Sequence, residues 1–231
     1  MERADVLIVG AGPAGLAMAA CLQRRGIPFV LVEAGSGVGA SWRNHYHRLC
    51  LHTVKAHSAL AGLPFPADVP RYPSRTQVIA YLERYAAHFG IAPRVNERLE
   101  RAQPAAASGA TDGWWDVRTS SGSYRALHLV MATGLNRSPV RPTWPGEAHC
   151  RGIVLHSADY RTGAPFSGRR AVVVGMGNTG AEIALDLHEH GARVTHVVRH
   201  PTESDIATRS PACCVRSAST RSTPRVRLPG S

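Results

Sequence analysis

Val6-Leu7-Ile8-Val9-Gly10-Ala11-Gly12-Pro13-Ala14-Gly15 joins a run of four apolar residues to glycines at positions 10, 12 and 15. A short, continuous apolar run is what a parallel strand buried on both faces requires. A helical stretch follows from Leu16 to Arg25 and is closed by Gly26; Phe29-Val30-Leu31-Val32 is then a second apolar run, ending in Glu33. The segment therefore reads as strand, glycine turn, helix, strand. Gly10 permits the tight turn, Gly12 lets a pyrophosphate approach the backbone, and Gly15 lets helix and strand pack closely. The amino terminus of the helix faces the phosphates with unpaired N–H groups and a favourable dipole. Glu33 stands 18 residues past Gly15, where a carboxylate accepts from ribose hydroxyls. A glycine pattern alone is weak, but the flanking strand, helix and acid make this one specific.

The unit recurs. Ala171-Val172-Val173-Val174 reads as a buried strand, Gly175-Met176-Gly177-Asn178-Thr179-Gly180 as the turn, and Ala181 to His190 as the helix, closed by Gly191. The strand Arg193 to Val198 completes it. Here the position 18 past the last glycine is Val198, with Arg199 next. A ribose 2′-hydroxyl calls for an acid, whereas a 2′-phosphate calls for an arginine and no acid. The second unit thus reads as an NADP site and the first as an FAD or NAD site.

Between the units, residues 35–60 are loop-like and carry Trp42, Arg43, His45, His47, His52 and His57. No carboxylate or second cysteine completes a metal-ligand spacing there, so no metal is expected. Residues 64–73 hold four prolines and must run extended over the surface. Ser74 reads as the cap of a helix through Arg75-Thr76-Gln77, with Val78, Tyr81, Leu82 and Tyr85 at helical spacing. From Arg94 to Gly134 the period becomes that of strands; 114–118 and 124–130 flank the turn signal Ser120-Ser121-Gly122, predicting a hairpin or meander. Residues 135–168 hold four more prolines and read as a connection.

Composition narrows the class. The chain has 231 residues, 44% of them hydrophobic and 19% charged, enough for a sizeable core and unlike a disordered chain or coiled coil. No apolar run approaches the ~20 residues that span a bilayer. The amino terminus is acidic and enters a strand at once, unlike a signal peptide, so a cytoplasmic protein is expected. Cys21, Cys50, Cys150, Cys213 and Cys214 include no CxxC pair, and neither disulfides nor redox or zinc motifs are implied. The net charge is +11, yet of the 27 basic residues only Lys55 is a lysine. The arginines are scattered without long basic runs or aromatic interleaving, so nucleic acid is not an expected partner.

With these residues in place, the chain resembles the class B flavin-containing monooxygenases, most of all their YUCCA-like (indole-3-pyruvate monooxygenase) branch. The resemblance covers about residues 4–200 and is carried by GAGPAGLA (10–17), SWR (41–43), LHTVK (51–55), LPFPADVPRYPSRTQVIAYLERYAAHFGI (63–91), ATGLNRSP (132–139), GNTGAEIALDL (177–187) and VVRHP (197–201). The family's aromatic-GxxxHxxxY/F motif is matched by Gly152, His156 and Tyr160 in their spacing, with Cys150 two residues ahead of Gly152 in place of the aromatic residue. The resemblance implies FAD contacts at Gly10, Ala11, Gly12, Pro13, Ala14, Gly15, Glu33, Ser41, Trp42, His52 and Thr53, with Thr133-Gly134 passing close by. It implies NADPH contacts at Gly175, Gly177, Asn178, Thr179, Gly180 and Arg199. Many monooxygenases of this class hold an asparagine where His52 stands, and the histidine fits the YUCCA-like branch. The implied reaction uses NADPH and O2 to insert one oxygen atom into a small organic substrate through a C4a-hydroperoxyflavin. Oxidative decarboxylation of a 2-oxo acid is the implied example. Such chemistry belongs to the cofactor, and no catalytic side chain is assigned.

The expected architecture is α/β, with two Rossmann-like dinucleotide-binding units and a β-meander, the second unit incomplete. Residues 1–140 form the expected FAD-binding domain with a helical insert and the meander at 94–134. Residues 141–168 are the connection, and 169–200 a partial NADPH-binding unit. From Pro201 to Ser231 the arginine-, serine- and proline-rich chain has no strand or helix period and reads as a disordered tail of the kind a frameshifted or truncated gene would give. An incomplete second unit leaves apolar faces open, so self-association is expected. Two alternatives stay open at this point: another FAD/NAD(P)-dependent oxidoreductase, and an inactive nucleotide-binding fragment.

Overall fold

The computed structural model describes residues 1–105, 113–136 and 138–198. Seven strands and five helices follow in chain order: β1 (Glu2–Val9), α1 (Pro13–Gln23), β2 (Phe29–Val32), α2 (Ala40–Arg43), α3 (Lys55–Ser58), α4 (Arg75–His88), β3 (Leu99–Pro104), β4 (Trp115–Thr119), β5 (Ser123–Met131), β6 (Arg170–Val174), α5 (Asn178–Glu189) and β7 (Arg193–Val197).

The first five strands make one mixed sheet in the order β2-β1-β5-β4-β3. β1 pairs parallel with β2 and with β5, in registers that include Val9↔Val32 and Val9↔Met131. The β4–β5 and β3–β4 pairs are antiparallel, giving the meander. That meander is an extension of the nucleotide sheet itself, because β5 is both its last strand and the parallel neighbour of β1.

Burial explains the apolar run of β1. Val6 and Ile8 face α1 and α4, where Leu16, Ala19, Val78, Tyr81, Leu82 and Tyr85 close one core. Leu7 and Val9 face the opposite way, into a second core with Val32, Val117, Tyr124 and Ala126. Leu7 and Ile8 are fully buried, and burying each such side chain stabilises the fold by roughly 1.5–3 kcal/mol. Helix α4 begins as its sequence predicts. Ser74 and Gln77 form a reciprocal capping box, with the Ser74 amide donating to Gln77 Oε1 at 2.9 Å.

α1 begins at Pro13, earlier than its apolar period predicts, because the glycine turn itself enters the helix with Pro13 in its first turn. Proline suits that place, since its missing N–H has no intrahelical partner there.

The second unit corrects the expectation of a buried strand at 171–174. β6 and β7 pair parallel in a two-stranded sheet. α5 covers one face of it through Ile183 and Leu187, which pack with Ala171, Val173 and Val194. On the other face Val172 is 66% and Val174 56% exposed, beside Val197. Among the described residues nothing covers that face, so an apolar run that would be buried in a larger sheet is half-buried, and on alternate residues only.

Candidate functional site

The two glycine turns have the same construction. Gly10 and Gly175 both adopt φ +106°, a left-handed conformation that favours glycine. Each donates its N–H to the end of the neighbouring strand, Gly10 to the Val32 carbonyl at 2.8 Å and Gly175 to the Val197 carbonyl at 2.9 Å. A Cβ on Gly15 would stand 1.8 Å from the Gly10 carbonyl oxygen, and one on Gly180 would stand 2.2 Å from that of Gly175. The last glycine of each motif is therefore imposed by helix–turn packing.

The middle glycines differ from the others. Gly12 and Gly177 have ordinary extended backbones, and a Cβ on either would meet nothing within 4 Å. The fold does not require glycine at these two places. What they keep clear is the space in front of a helix amino terminus, where a dinucleotide pyrophosphate lies against backbone N–H groups. The residues present thus fit a dinucleotide at both turns.

Around the first turn, the Glu33 carboxylate accepts from the Ala11 N–H and the Gly35 N–H, both at 2.7 Å. It is buried and braces the turn. The Gly39 N–H donates to the Ala11 carbonyl at 3.0 Å, which brings the start of α2 beside the turn. On that helix Ser41 is exposed and Trp42 half-buried. Ala132 and Thr133 pass directly beside Gly10: a Cβ on Gly10 would lie 2.5 Å from the Ala132 oxygen and 3.5 Å from Thr133 Cα. Gly134 continues that segment with φ +79°. The structure thus gathers Gly10 to Gly15, Glu33, α2 and Thr133 in one place. Among the described residues no third strand stands at the corresponding side of Gly175, where a Cβ would meet nothing within 4 Å. Arg199 lies outside the described residues.

His52 is bonded to the second unit. Its Nε2 lies 2.7 Å from Glu182 Oε1, and its Nδ1 lies 3.1 Å from the Asn178 side-chain nitrogen. Both partners are on α5, in the second unit. Thr53 does not share them; its hydroxyl lies 2.5 Å from that of Ser58.

The same helix carries a polar row that sequence reasoning did not single out. Tyr46 donates its hydroxyl to Glu182 Oε2 at 2.9 Å. One turn on, Asp186 Oδ2 accepts from the Tyr160 hydroxyl at 2.6 Å and from the Gly163 N–H at 2.8 Å. Arg48 grips Glu189 through two bonds of 3.0 Å. Glu182 and Asp186 are both buried. Burial, with the neighbouring carboxylate next in importance, pushes the Tyr46 phenol above its ordinary range. The same causes raise Tyr160, with Asp186 as its partner. Both phenols therefore stay protonated donors. The signal available in the sequence was the four-residue spacing of Glu182 and Asp186, which places two acids on one helix face.

Among the described residues, no group of three or more histidine, cysteine or acidic side chains could hold a metal ion. Also among them, no helix is long and apolar enough to cross a membrane.

Residues 7–219 match the family model described as pyridine nucleotide-disulphide oxidoreductase. The chain is 45% identical over 196 residues to "Indole-3-pyruvate monooxygenase YUCCA1" of Oryza sativa subsp. japonica, covering 84% of this chain and 47% of that protein. Among solved structures it is similar to a mutant of the flavin monooxygenase from Stenotrophomonas maltophilia, with a TM-score of 0.77 and 31% identity. That match covers 87% of this chain and 59% of the other. It is also similar to OTEMO in complex with FAD and NADP, with a TM-score of 0.72 and 26% identity, covering 86% and 39%. The chain spans about half the length of the curated relatives it matches.

Proposed function

The chain belongs to the pyridine nucleotide-disulphide oxidoreductase family, in its flavin-containing monooxygenase branch, and on that premise we propose that it binds FAD and NADPH for oxygen insertion into a small organic substrate. The observation that carries this reading is the pair of open glycines, Gly12 and Gly177, each set in a turn of the same geometry.

In this reading the backbone from Ala11 to Gly15 receives the FAD pyrophosphate, and the Glu33 carboxylate meets the adenosine ribose. Ser41, Trp42 and Thr133-Gly134 line the approach to the flavin. Gly175 to Gly180 receive the NADPH pyrophosphate, Asn178 and Thr179 stand at the helix entrance, and Arg199 takes the 2′-phosphate. When bound, FAD supplies a centre that accepts hydride from NADPH and activates O2. The protein's task is to orient both nucleotides and exclude water. Residues 1–140 and 169–200 are the two binding regions, joined through 141–168. The name of the rice relative favours a 2-oxo acid such as indole-3-pyruvate as substrate.

A second reading, nucleotide binding without turnover, is favoured by the open valine face of β6 and β7. That face also supports self-association. One experiment separates the readings: follow NADPH oxidation and O2 consumption by the FAD-loaded chain with and without indole-3-pyruvate. Substrate-dependent consumption of both supports the monooxygenase. Bound FAD with no consumption supports the binding-only reading, and no bound FAD refutes both.

A further inference from the structure

Of the polar groups that the proposed chemistry leaves without a task, Glu182 has the most constrained surroundings. It is buried, and its two carboxylate oxygens face Tyr46 and His52. An ionised carboxylate only accepts hydrogen bonds. Nε2 of His52, 2.7 Å away, must then carry a proton, and a neutral imidazole protonated at Nε2 presents a lone pair at Nδ1. A lone pair at Nδ1 selects the amino side of the Asn178 amide, the nitrogen found 3.1 Å from it. The Asn178 oxygen is thereby turned away from His52. With the imidazole neutral, these bonds are met by one tautomer and one amide orientation.

The geometry points to Glu182 as a positioning residue that acts through His52 to fix the amide of Asn178. Asn178 is the first residue of α5, directly after Gly177 in the second glycine turn. Fixed in this way, it offers Oδ1 as an acceptor at the mouth of that turn, suited to a hydroxyl or amide N–H donor of the bound nucleotide. This inference rests on reading the turn as the NADPH site. It adds the reason why the acid lies one helical turn below: without it, the imidazole can take either tautomer and the amide either orientation. It also gives His52 a place in the second site, whereas the family resemblance places it at the first.

The test uses the full chain, isotopically labelled and free of cofactor, with nuclear magnetic resonance of the His52 ring nitrogens and the Asn178 side-chain amide. Wild type should show one tautomer, protonated at Nε2. In E182Q, a glutamine can present either its oxygen or its nitrogen to Nε2, so the His52 signals should become those of a mixture. The Asn178 amide should move in step with the His52 ring signals. NADP+ titration provides the second readout. E182A and H52A should each weaken NADP+ by roughly three- to tenfold, the size of one net hydrogen bond. The double variant should be no weaker than either single one, because both act through the same amide. A His52 protonated at Nδ1 in wild type, or an Asn178 signal unmoved in E182Q, overturns the inference. If wild type fails to bind NADP+ while the resonance results hold, the NADPH reading fails and the positioning relationship stands.

Discussion

Gly15 lies so close to Gly10 that a Cβ on Gly15 would stand 1.8 Å from the Gly10 carbonyl oxygen, whereas Gly12, between them, faces open space. The same motif thus contains a glycine required by folding and a glycine required only by what binds. G15A should unfold the first unit or cost several kcal/mol, because the clash is with backbone that cannot step aside. G12V should keep the circular dichroism and melting profile of wild type and lose FAD. G177V should do the same for NADP+ and leave FAD binding unchanged.

Glu182 and Asp186 are buried acids whose donors come from distant loops. Y46F should cost about 1–3 kcal/mol in urea unfolding, since it leaves a buried carboxylate short of a donor. Y160F should cost a similar amount. Cutting the exposed end of the Arg48–Glu189 pair with E189Q should cost under ~1 kcal/mol.

These phenols also set an alkaline limit. Burial and the adjacent carboxylates raise Tyr46 and Tyr160 above the ordinary tyrosine value of 10.0. Above that pH the unfolded chain releases phenolic protons that the folded chain retains, so the unfolded state is stabilised relative to the folded one as pH rises. Their contribution is fully present below pH 10.0 and is lost as pH climbs from there towards the folded-state values. Y46F and Y160F should each flatten the fall of urea stability measured above that pH. An unchanged slope in both variants contradicts the assignment.

Lys55 donates to three converging carbonyls, those of Pro66 at 3.0 Å, Ala67 at 2.9 Å and Val69 at 2.5 Å. An ammonium group has three tetrahedral donors, and the planar guanidinium fork does not reproduce them. In a chain whose other 26 cationic side chains are all arginine, this is a place where arginine does not fit. K55R should therefore destabilise nearly as much as K55M, by about 1–3 kcal/mol in urea unfolding.

Much of this was legible in the sequence because it is local. The glycine turns, the Ser74 cap and the β4–β5 hairpin each depend on residues within one short segment, so the order of types dictates the geometry. The polar row on α5 depends on partners 136 residues away for Tyr46 and 130 for His52. No spacing in the chain encodes that contact, and acids on an amphipathic helix ordinarily face solvent. The misread strand β6 has the same origin. A run of valines shows that a strand is apolar, but not how many neighbours it acquires, and here it has β7 and α5 alone among the described residues.

FAD binding at the first turn depends most directly on the open space in front of Gly12. The measurement that tests it is the amount of FAD retained per chain, read from the visible absorption spectrum after reconstitution and gel filtration, for wild type and G12V side by side. The account predicts one FAD per wild-type chain and none on a G12V chain that is still folded. A colourless wild-type protein, or a G12V protein as yellow as wild type, would contradict it.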